Sequence, residues 1–168
     1  RLRLDLLGSA NAIGSDVDFA QSRLSWKAIY SAGEKNRFLV RADTAATWVA
    51  DLQELPASKR FFAGGDQSVR GYAFEELGPE NDAGDVIGGR HLLVGSVEYE
   101  RQFFNKWSGA VFYDAGNALN SFSEELNHGA GFGVRWRSPI GPVRLDLAWA
   151  LSDPGQPVRL HFVVGPDL

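Results

Sequence analysis

Serines and histidines are the residue types from which a nucleophilic hydrolase is built, and the chain contains both. Ser68 or Ser96 could serve as a nucleophile, with His91, His128 or His161 as its base. Such chemistry needs nucleophile, base and orienting acid within hydrogen-bond reach. The sequence pattern aligns no such group, since His91 falls among apolar-facing positions and His128 begins a strand. The pattern favours polar strand-end or interior histidines, and we expect no enzyme.

Metal and cofactor motifs are weak in this chain. The absence of cysteine excludes disulfides, cysteine-ligated zinc, iron–sulfur clusters and cysteine nucleophiles. Residues 80–85 (Glu-Asn-Asp-Ala-Gly-Asp) carry carboxylates but lack a full calcium-ligand register, so an acidic turn is favoured. Residues 129–133 (Gly-Ala-Gly-Phe-Gly) superficially resemble a dinucleotide-binding loop, but the last glycine is misplaced and no helix follows. We therefore predict no metal and no cofactor.

The length and the net charge of the chain limit the classes of protein to which it could belong. The chain has 168 residues, 44% hydrophobic, with a net charge of −4, which is enough apolar material for one folded domain. The mild negative charge argues against a dedicated nucleic-acid partner. No window offers the roughly 18 uninterrupted apolar residues of a membrane helix.

Apolar and polar residues alternate along most of the chain, the period of a β-strand. The alternation predicts about eight strands, at residues 1–7, 20–30, 37–48, 90–100, 107–117, 130–137, 143–149 and 159–164. Several reach the length of about 9–11 residues that a membrane strand needs, where soluble strands average about 5–6. The fold class predicted is all-β and antiparallel.

The composition of the two strand faces favours a transmembrane β-barrel wall over a soluble sandwich. Charges of both signs occupy one face, which suits a wet interior. Aromatic residues near the ends of the apolar face are typical of membrane interfaces; they are Tyr30, Trp48, Tyr99, Trp107, Trp136 and Trp149. A soluble β-sandwich or barrel remains the alternative on alternation alone.

The longest connection, residues 51–89, has no strand pattern yet carries several large apolar side chains, so it must pack on something. Its Arg70 needs planar carboxylate or carbonyl partners once it is removed from water. Alternation places Glu98 and Asp114 on the charged faces of successive strands, about 4.8 Å apart, where both could reach one cation. The glycines of the next strand leave a bare stretch of wall for close approach; they are Gly129, Gly131 and Gly133.

Residues 60–72 read Arg-Phe-Phe-Ala-Gly-Gly-Asp-Gln-Ser-Val-Arg-Gly-Tyr. This segment resembles the conserved-loop signature of the bacterial surface antigen (BamA/TamA) superfamily, outer-membrane barrels that assemble or translocate other proteins. Residues 95–99, 111–117, 129–136 and 141–146 resemble that superfamily's last strands in the expected order. The amino-acid sequence around the motif is most similar to that of the TamA branch. The residues that carry the loop signature are Gly64, Gly65, Asp66, Val69, Arg70, Gly71 and Tyr72.

The resemblance implies that the loop folds into the barrel and that Arg70 docks on Glu98 and Asp114. A closed eight-stranded barrel is filled by its own side chains and has no room for such a loop. Either the loop stays outside or these strands are half of a larger barrel, and we favour the second. The resemblance then implies that residues 1–168 form the C-terminal half of a barrel of about 16 strands, without its N-terminal strands and POTRA domains. The first and last strands of such a barrel meet at a seam. The side of the seam present in this chain would be the last strand, with Leu160, Phe162, Val164 and Gly165.

The function implied by the resemblance is assembly or translocation of β-rich clients, such as autotransporters, in the outer membrane of a Gram-negative bacterium. The implied partners are outer-membrane lipid, the client proteins and a TamB-like inner-membrane protein that spans the periplasm. Three other functions stay open: a two-partner secretion transporter, a general outer-membrane insertase and, through its inward arginines, a passive channel.

Overall fold

The computed structural model describes residues 1–10, 17–139 and 141–165. It contains one antiparallel sheet of eight strands whose spatial order follows the chain from β1 to β8. The strands are β1 (Leu2–Ser9), β2 (Phe19–Ala32), β3 (Asn36–Val49), β4 (His91–Phe104), β5 (Trp107–Leu119), β6 (Asn127–Ser138), β7 (Gly141–Ala150) and β8 (Val158–Val164). The described residues include no α-helix. This confirms the predicted all-β antiparallel fold and its strand number.

The alternation of the sequence becomes two chemically different faces. One face, called the inner face, carries Glu98, Asp114 and Asp146 among its buried residues. The opposite, outer face is apolar and largely exposed, as at Leu4, Phe132 and Phe162. Aromatic rings pair across strands there: Trp107 stacks on Trp136 at 5.6 Å between ring centroids, and Phe38 lies 5.0 Å from Tyr99. The outer face thus presents an apolar band with aromatic ends, to which lipid is a better solvent than water.

Connections at the two ends of the sheet differ in length. Gly33–Lys35 joins β2 to β3, and two residues join β4 to β5. At the opposite end, residues 50–90 join β3 to β4 and residues 151–157 join β7 to β8. In the part of the chain that the structure covers, no helix has the length and apolarity to cross a membrane.

The segment from residue 50 to residue 90, called the inner loop, packs against the inner face. It contains a short 3-10 helix at Ala57–Lys59 and a bridge between Phe61 and Gly89. Its side chains form the hydrophobic core together with strand residues; this core comprises Ala45, Phe61, Ala63, Val69, Tyr72, Leu77, Leu92, Val94, Ala118 and Ala150. Most of the large apolar groups that made a solvated linker implausible, Phe61, Val69 and Tyr72 among them, are therefore buried between loop and wall, whereas Phe74 is 79% exposed.

Strand register can be tested by disulfide trapping, since the chain has no cysteine of its own. Val40 in β3 lies directly opposite Val97 in β4, although the inner loop separates them in sequence. Opposed antiparallel residues have Cα atoms about 4.5–5.5 Å apart, which suits a disulfide. We expect the Val40→Cys/Val97→Cys double variant to cross-link under mild oxidation, as detected by peptide mass before and after reduction.

The matched control is Val40→Cys/Ser96→Cys. Ser96 is one residue away and is buried on the inner face, so its side chain points away from Val40. Faster cross-linking of this control than of the Val40/Val97 pair would contradict the observed register.

Candidate functional site

Four inner-face residues from four strands and one inner-loop residue form a buried ion cluster, defined here as Arg70, Glu98, Asp114, Arg135 and Asp146. The strand residues come from β4, β5, β6 and β7 in that order. Each reaches the same side because alternate residues of a strand share a face. Sheet register then brings their carboxylates and guanidinium groups together above the wall.

Arg70 occupies the centre of the ion cluster and is only 3% exposed. Its Nε donates to Asp114 Oδ2 at 2.7 Å and its Nη2 to Oδ1 at 2.9 Å, a forked pair that only a guanidinium can make. Its Nη1 donates to Glu98 at 2.6 Å and to Asp146 at 3.2 Å. The guanidinium carbon also lies 3.4 Å from the centroid of the Phe112 ring. Each nitrogen of this guanidinium therefore has a carboxylate acceptor, and one face of its plane lies on an aromatic ring.

Backbone contacts reinforce the position of Arg70. Its own N–H donates to Asp114 Oδ2 at 3.1 Å, so Asp114, which is fully buried, binds both the main chain and the side chain of one loop residue. Burial by itself lowers the pKa of the Arg70 guanidinium, but hydrogen bonding and attraction from Asp114, joined by Glu98, outweigh it and raise the pKa. Arg70 therefore stays charged wherever the protein is folded.

Arg135 is the second cation of the ion cluster. Its Nη2 donates to Glu98 Oε1 at 2.8 Å and to Asp146 Oδ2 at 3.2 Å. Glu98 and Asp146 are thus shared between Arg70 and Arg135. Such pairs are retained only where hydrogen bonds satisfy each buried charge, because desolvation otherwise exceeds the Coulomb gain. The shared carboxylates make the loop and the wall one electrostatic unit.

The predicted loop-signature residues lie around Arg70. Val69 and Tyr72 are almost fully buried in the core. Gly71 has φ +100°, and a Cβ there would lie 2.8 Å from the backbone of Trp149. Gly64 and Gly65 also adopt positive φ, at +99° and +96°. These three glycines let the chain turn sharply while it lies against the wall.

Of the three wall glycines, Gly129 is the one whose nearest neighbours belong to the inner loop. A Cβ at Gly129 would overlap the carbonyl oxygen of Arg70. A Cβ at Gly131 would meet the Phe112 ring and the β7 backbone, and one at Gly133 would meet the Asp146 and Arg135 side chains. The expectation of a loop lying along all three is thus refined, because side chains of the wall fill the space beside Gly131 and Gly133.

The last strand, β8, lies at one end of the sheet and pairs with β7. Its predicted seam residues Leu160, Phe162 and Val164 point outward and are more than half exposed. Gly165 follows the strand at φ +140° and donates its N–H to Pro142 O at 2.9 Å.

Sequence reasoning missed part of the site. The sequence pattern gives no sign that Arg135 and Asp146 belong to the site, although both contact Glu98 or Arg70. Alternation placed them on the correct face, but their convergence depends on strand stagger, which spacing along one strand does not encode. His161, considered only as a candidate base, contacts Asp66 of the loop signature.

The remaining hydrolase and metal candidates are engaged elsewhere or dispersed. Ser68 Oγ accepts the Gly64 N–H at 3.1 Å, and His91 stacks on Phe122 at 4.4 Å between centroids. His128 contacts the Tyr113 hydroxyl at 2.8 Å. Among residues 1–10, 17–139 and 141–165, no group of three His, Cys, Asp or Glu side chains is arranged to hold a metal ion.

Gly129 provides a test of loop docking. We expect Gly129→Ala to push the Arg70 carbonyl away from the wall, because overpacking of this kind costs about 1–3 kcal/mol. The measurement is the rate of tryptic cleavage at Lys59 and Arg60 in the folded, detergent-solubilised protein, together with urea unfolding.

The control is Gly95→Ala, a strand glycine whose nearest neighbour to an added Cβ is 4.0 Å away. It should leave both readouts unchanged. If trypsin cleaves the Gly129→Ala protein at the same rate as the Gly95→Ala protein, and both unfold at the same urea concentration, the loop does not lie on the wall at this point.

Comparisons with known proteins agree with this architecture. The model of the Omp85 superfamily domain matches residues 2–167. The chain is 29% identical over 149 residues, 84% of its length, to "Outer membrane protein assembly factor BamA" of Nitratidesulfovibrio vulgaris. It is 34% identical over 117 residues, 62% of its length, to "Outer envelope protein 80, chloroplastic" of Arabidopsis thaliana. It spans 19% and 14% of those two relatives.

Among solved structures, the chain is similar to BamA from Haemophilus ducreyi lacking POTRA domains 1–3, with a TM-score of 0.69 and 23% identity. The similarity covers 89% of this chain and 35% of that one, so the sheet corresponds to part of a barrel. The family model spans nearly the whole chain, and the protein therefore belongs to the Omp85 superfamily, as its motifs indicated.

Proposed function

We propose that this chain is the wall of an outer-membrane barrel that helps insert or translocate β-rich client proteins. The observation that carries the proposal is the ion cluster, which fastens the inner loop to a wall that ends in the strand β8. A passive wall needs only charge balance on its inner face. Here one loop arginine, 3% exposed, is instead bound by three carboxylates from three strands.

The membrane assignment rests on the outer face. Leu160 and Phe162 are each 63% exposed, and Leu6 is 74% exposed. Apolar surface of this extent, continuous along alternating strand positions, belongs in hydrocarbon rather than water. The relatives of this chain include an outer-membrane assembly factor and a chloroplast outer-envelope protein. We assign this chain to the outer membrane of a Gram-negative bacterium.

The proposed work needs no nucleotide and no redox cofactor. A terminal strand presents unpaired N–H and C=O groups, which template a client strand by β-augmentation. Pairing satisfies those groups where water is absent, so client folding itself supplies the free energy. In this scheme the chain is non-enzymatic and forms the C-terminal half of a barrel of about 16 strands.

Within the superfamily we favour a TamA-type factor whose clients include autotransporters and whose partner is a TamB-like protein spanning the periplasm. The support is the Arg-Phe-Phe-Ala-Gly-Gly-Asp wording at residues 60–66. A general insertase is the second candidate, because several of the matched proteins carry the name BamA.

The Arg70→Ala variant tests the proposed function. We expect it to slow client assembly at least about tenfold, a loss of about 1.4 kcal/mol or more, because three buried carboxylates lose their central cation. The barrel itself should still insert, since each strand keeps its ladder of hydrogen bonds. The measurement is folding of an unfolded client barrel by full-length protein in liposomes, read as heat-modifiable mobility on gels.

Two further variants make the result specific. The Arg70→Lys variant should also assemble clients slowly, because a single ammonium group cannot donate the forked pair of hydrogen bonds to Asp114. Arg23→Ala, which removes a half-exposed partner of Asp43, should assemble clients normally. Wild-type client folding by Arg70→Ala in correctly inserted barrels would contradict the proposal.

A further inference from the structure

His161 is the buried residue of an otherwise exposed edge strand. The other residues of β8 are exposed or half-buried, whereas His161 is 5% exposed. It points to the inner face, opposite Asp146 of β7. Its Nδ1 contacts Asp66 Oδ1, and its Nε2 accepts the N–H of Gly71 at 3.0 Å. Both nitrogens of this imidazole are therefore engaged by the inner loop.

The partners determine which nitrogen of the ring carries the proton. The Gly71 N–H can only donate, so Nε2 must be the acceptor. Nδ1 then carries the proton and donates a hydrogen bond to the Asp66 carboxylate. The Asp66 carboxylate stabilises the Nδ1-protonated tautomer, which is the one that can accept the Gly71 N–H. A carboxylate that accepts a histidine N–H commonly fixes the tautomer in this way. The two contacts therefore depend on each other, and loss of Asp66 weakens the bond to Gly71 as well.

Among the described residues, one other ion pair joins β8 to the inner loop. Arg159 Nη2 lies 3.5 Å from Glu76 Oε2, with both side chains nearly half exposed, so this pair contributes little. Along its length β8 forms its ladder with β7, over seven opposed residue pairs. Within the described residues β8 is the outermost strand of the sheet and has a neighbour on one side, and a strand at such a position opens most easily. The buried His161 contact is placed where it would oppose such opening.

The loop residues that bind His161 flank the arginine of the ion cluster. Gly71 directly follows Arg70, whose side chain and N–H are bound to Asp114 of β5. Asp146, opposite His161, also accepts from Arg70. One short turn of the inner loop is therefore attached to the middle of the wall through Arg70 and to the edge strand through His161.

We propose that the Asp66–His161–Gly71 contacts form a latch that holds β8 against the inner loop, and that β8 separates from β7 only when this latch breaks. The latch couples the position of the signature loop to the attachment of β8 to the wall. In calling β8 the strand that receives clients, the inference rests on the proposed function. The latch itself is a statement about this chain alone.

Hydrogen–deuterium exchange of the full-length protein in detergent micelles tests the latch. His161→Phe keeps a ring but removes both hydrogen bonds, and Asp66→Ala removes the orienting carboxylate from a loop position that is 42% exposed. We expect both variants to raise amide exchange in residues 158–164 at least about tenfold, as edge opening becomes easier. Exchange in β5 should not change.

Arg159→Gln is the matched control, on the same strand and face, and should stay within about twofold of wild type. If His161→Phe does not fold, Asp66→Ala carries the test, because it leaves the sheet untouched. Exchange of residues 158–164 within about twofold of wild type in Asp66→Ala would overturn the latch. The measurement contains no client, so its result is independent of whether Arg70→Ala assembles clients.

Discussion

Burial of the Arg70 charge determines how the inner loop and the sheet of this protein fit together. A guanidinium taken out of water must have its donors satisfied by acceptors of matching geometry. Three carboxylates from β4, β5 and β7 meet that demand, and Arg135 balances two of them. Because these acids lie on different strands, they can surround one cation only when the sheet has its observed register. Local charge pairing and global strand order are therefore linked.

Several features of the chain follow from that constraint. The loop backbone must reach the wall, so Gly129 has no side chain beneath the Arg70 carbonyl, and Gly71 turns where a side chain would strike Trp149. The loop must also be dry around the cation, which explains why Val69 and Tyr72 are almost fully buried beside it. The outer face is left apolar and exposed. Within the described residues, the strands that carry the ion cluster have a neighbour on either side, whereas β8 pairs with β7.

Much of the fold could be predicted from the sequence because a period of two is a direct consequence of strand geometry. The same alternation placed Glu98 and Asp114 on the charged face, and an arginine in an apolar loop demanded acidic partners. Prediction failed where contacts depend on stagger between strands or on the path of the loop. Asp146 and Arg135 entered the ion cluster through register, and His161 met Asp66 across a separation in sequence of 95 residues. No spacing rule along one strand encodes such meetings.

The attachment of the loop to the wall is measured by a double-mutant cycle between Arg70 and Asp114, using Arg70→Gln and Asp114→Asn and urea unfolding of the folded barrel. Charges in one buried network should be coupled, so we expect an interaction free energy of at least about 1.5 kcal/mol. The same cycle on Arg23 and Asp43, a partly exposed pair, should give less than about 1 kcal/mol. If the losses of unfolding free energy in the two single variants add up to that of the double variant within about 0.5 kcal/mol, the ion pair between Arg70 and Asp114 does not hold the loop to the wall.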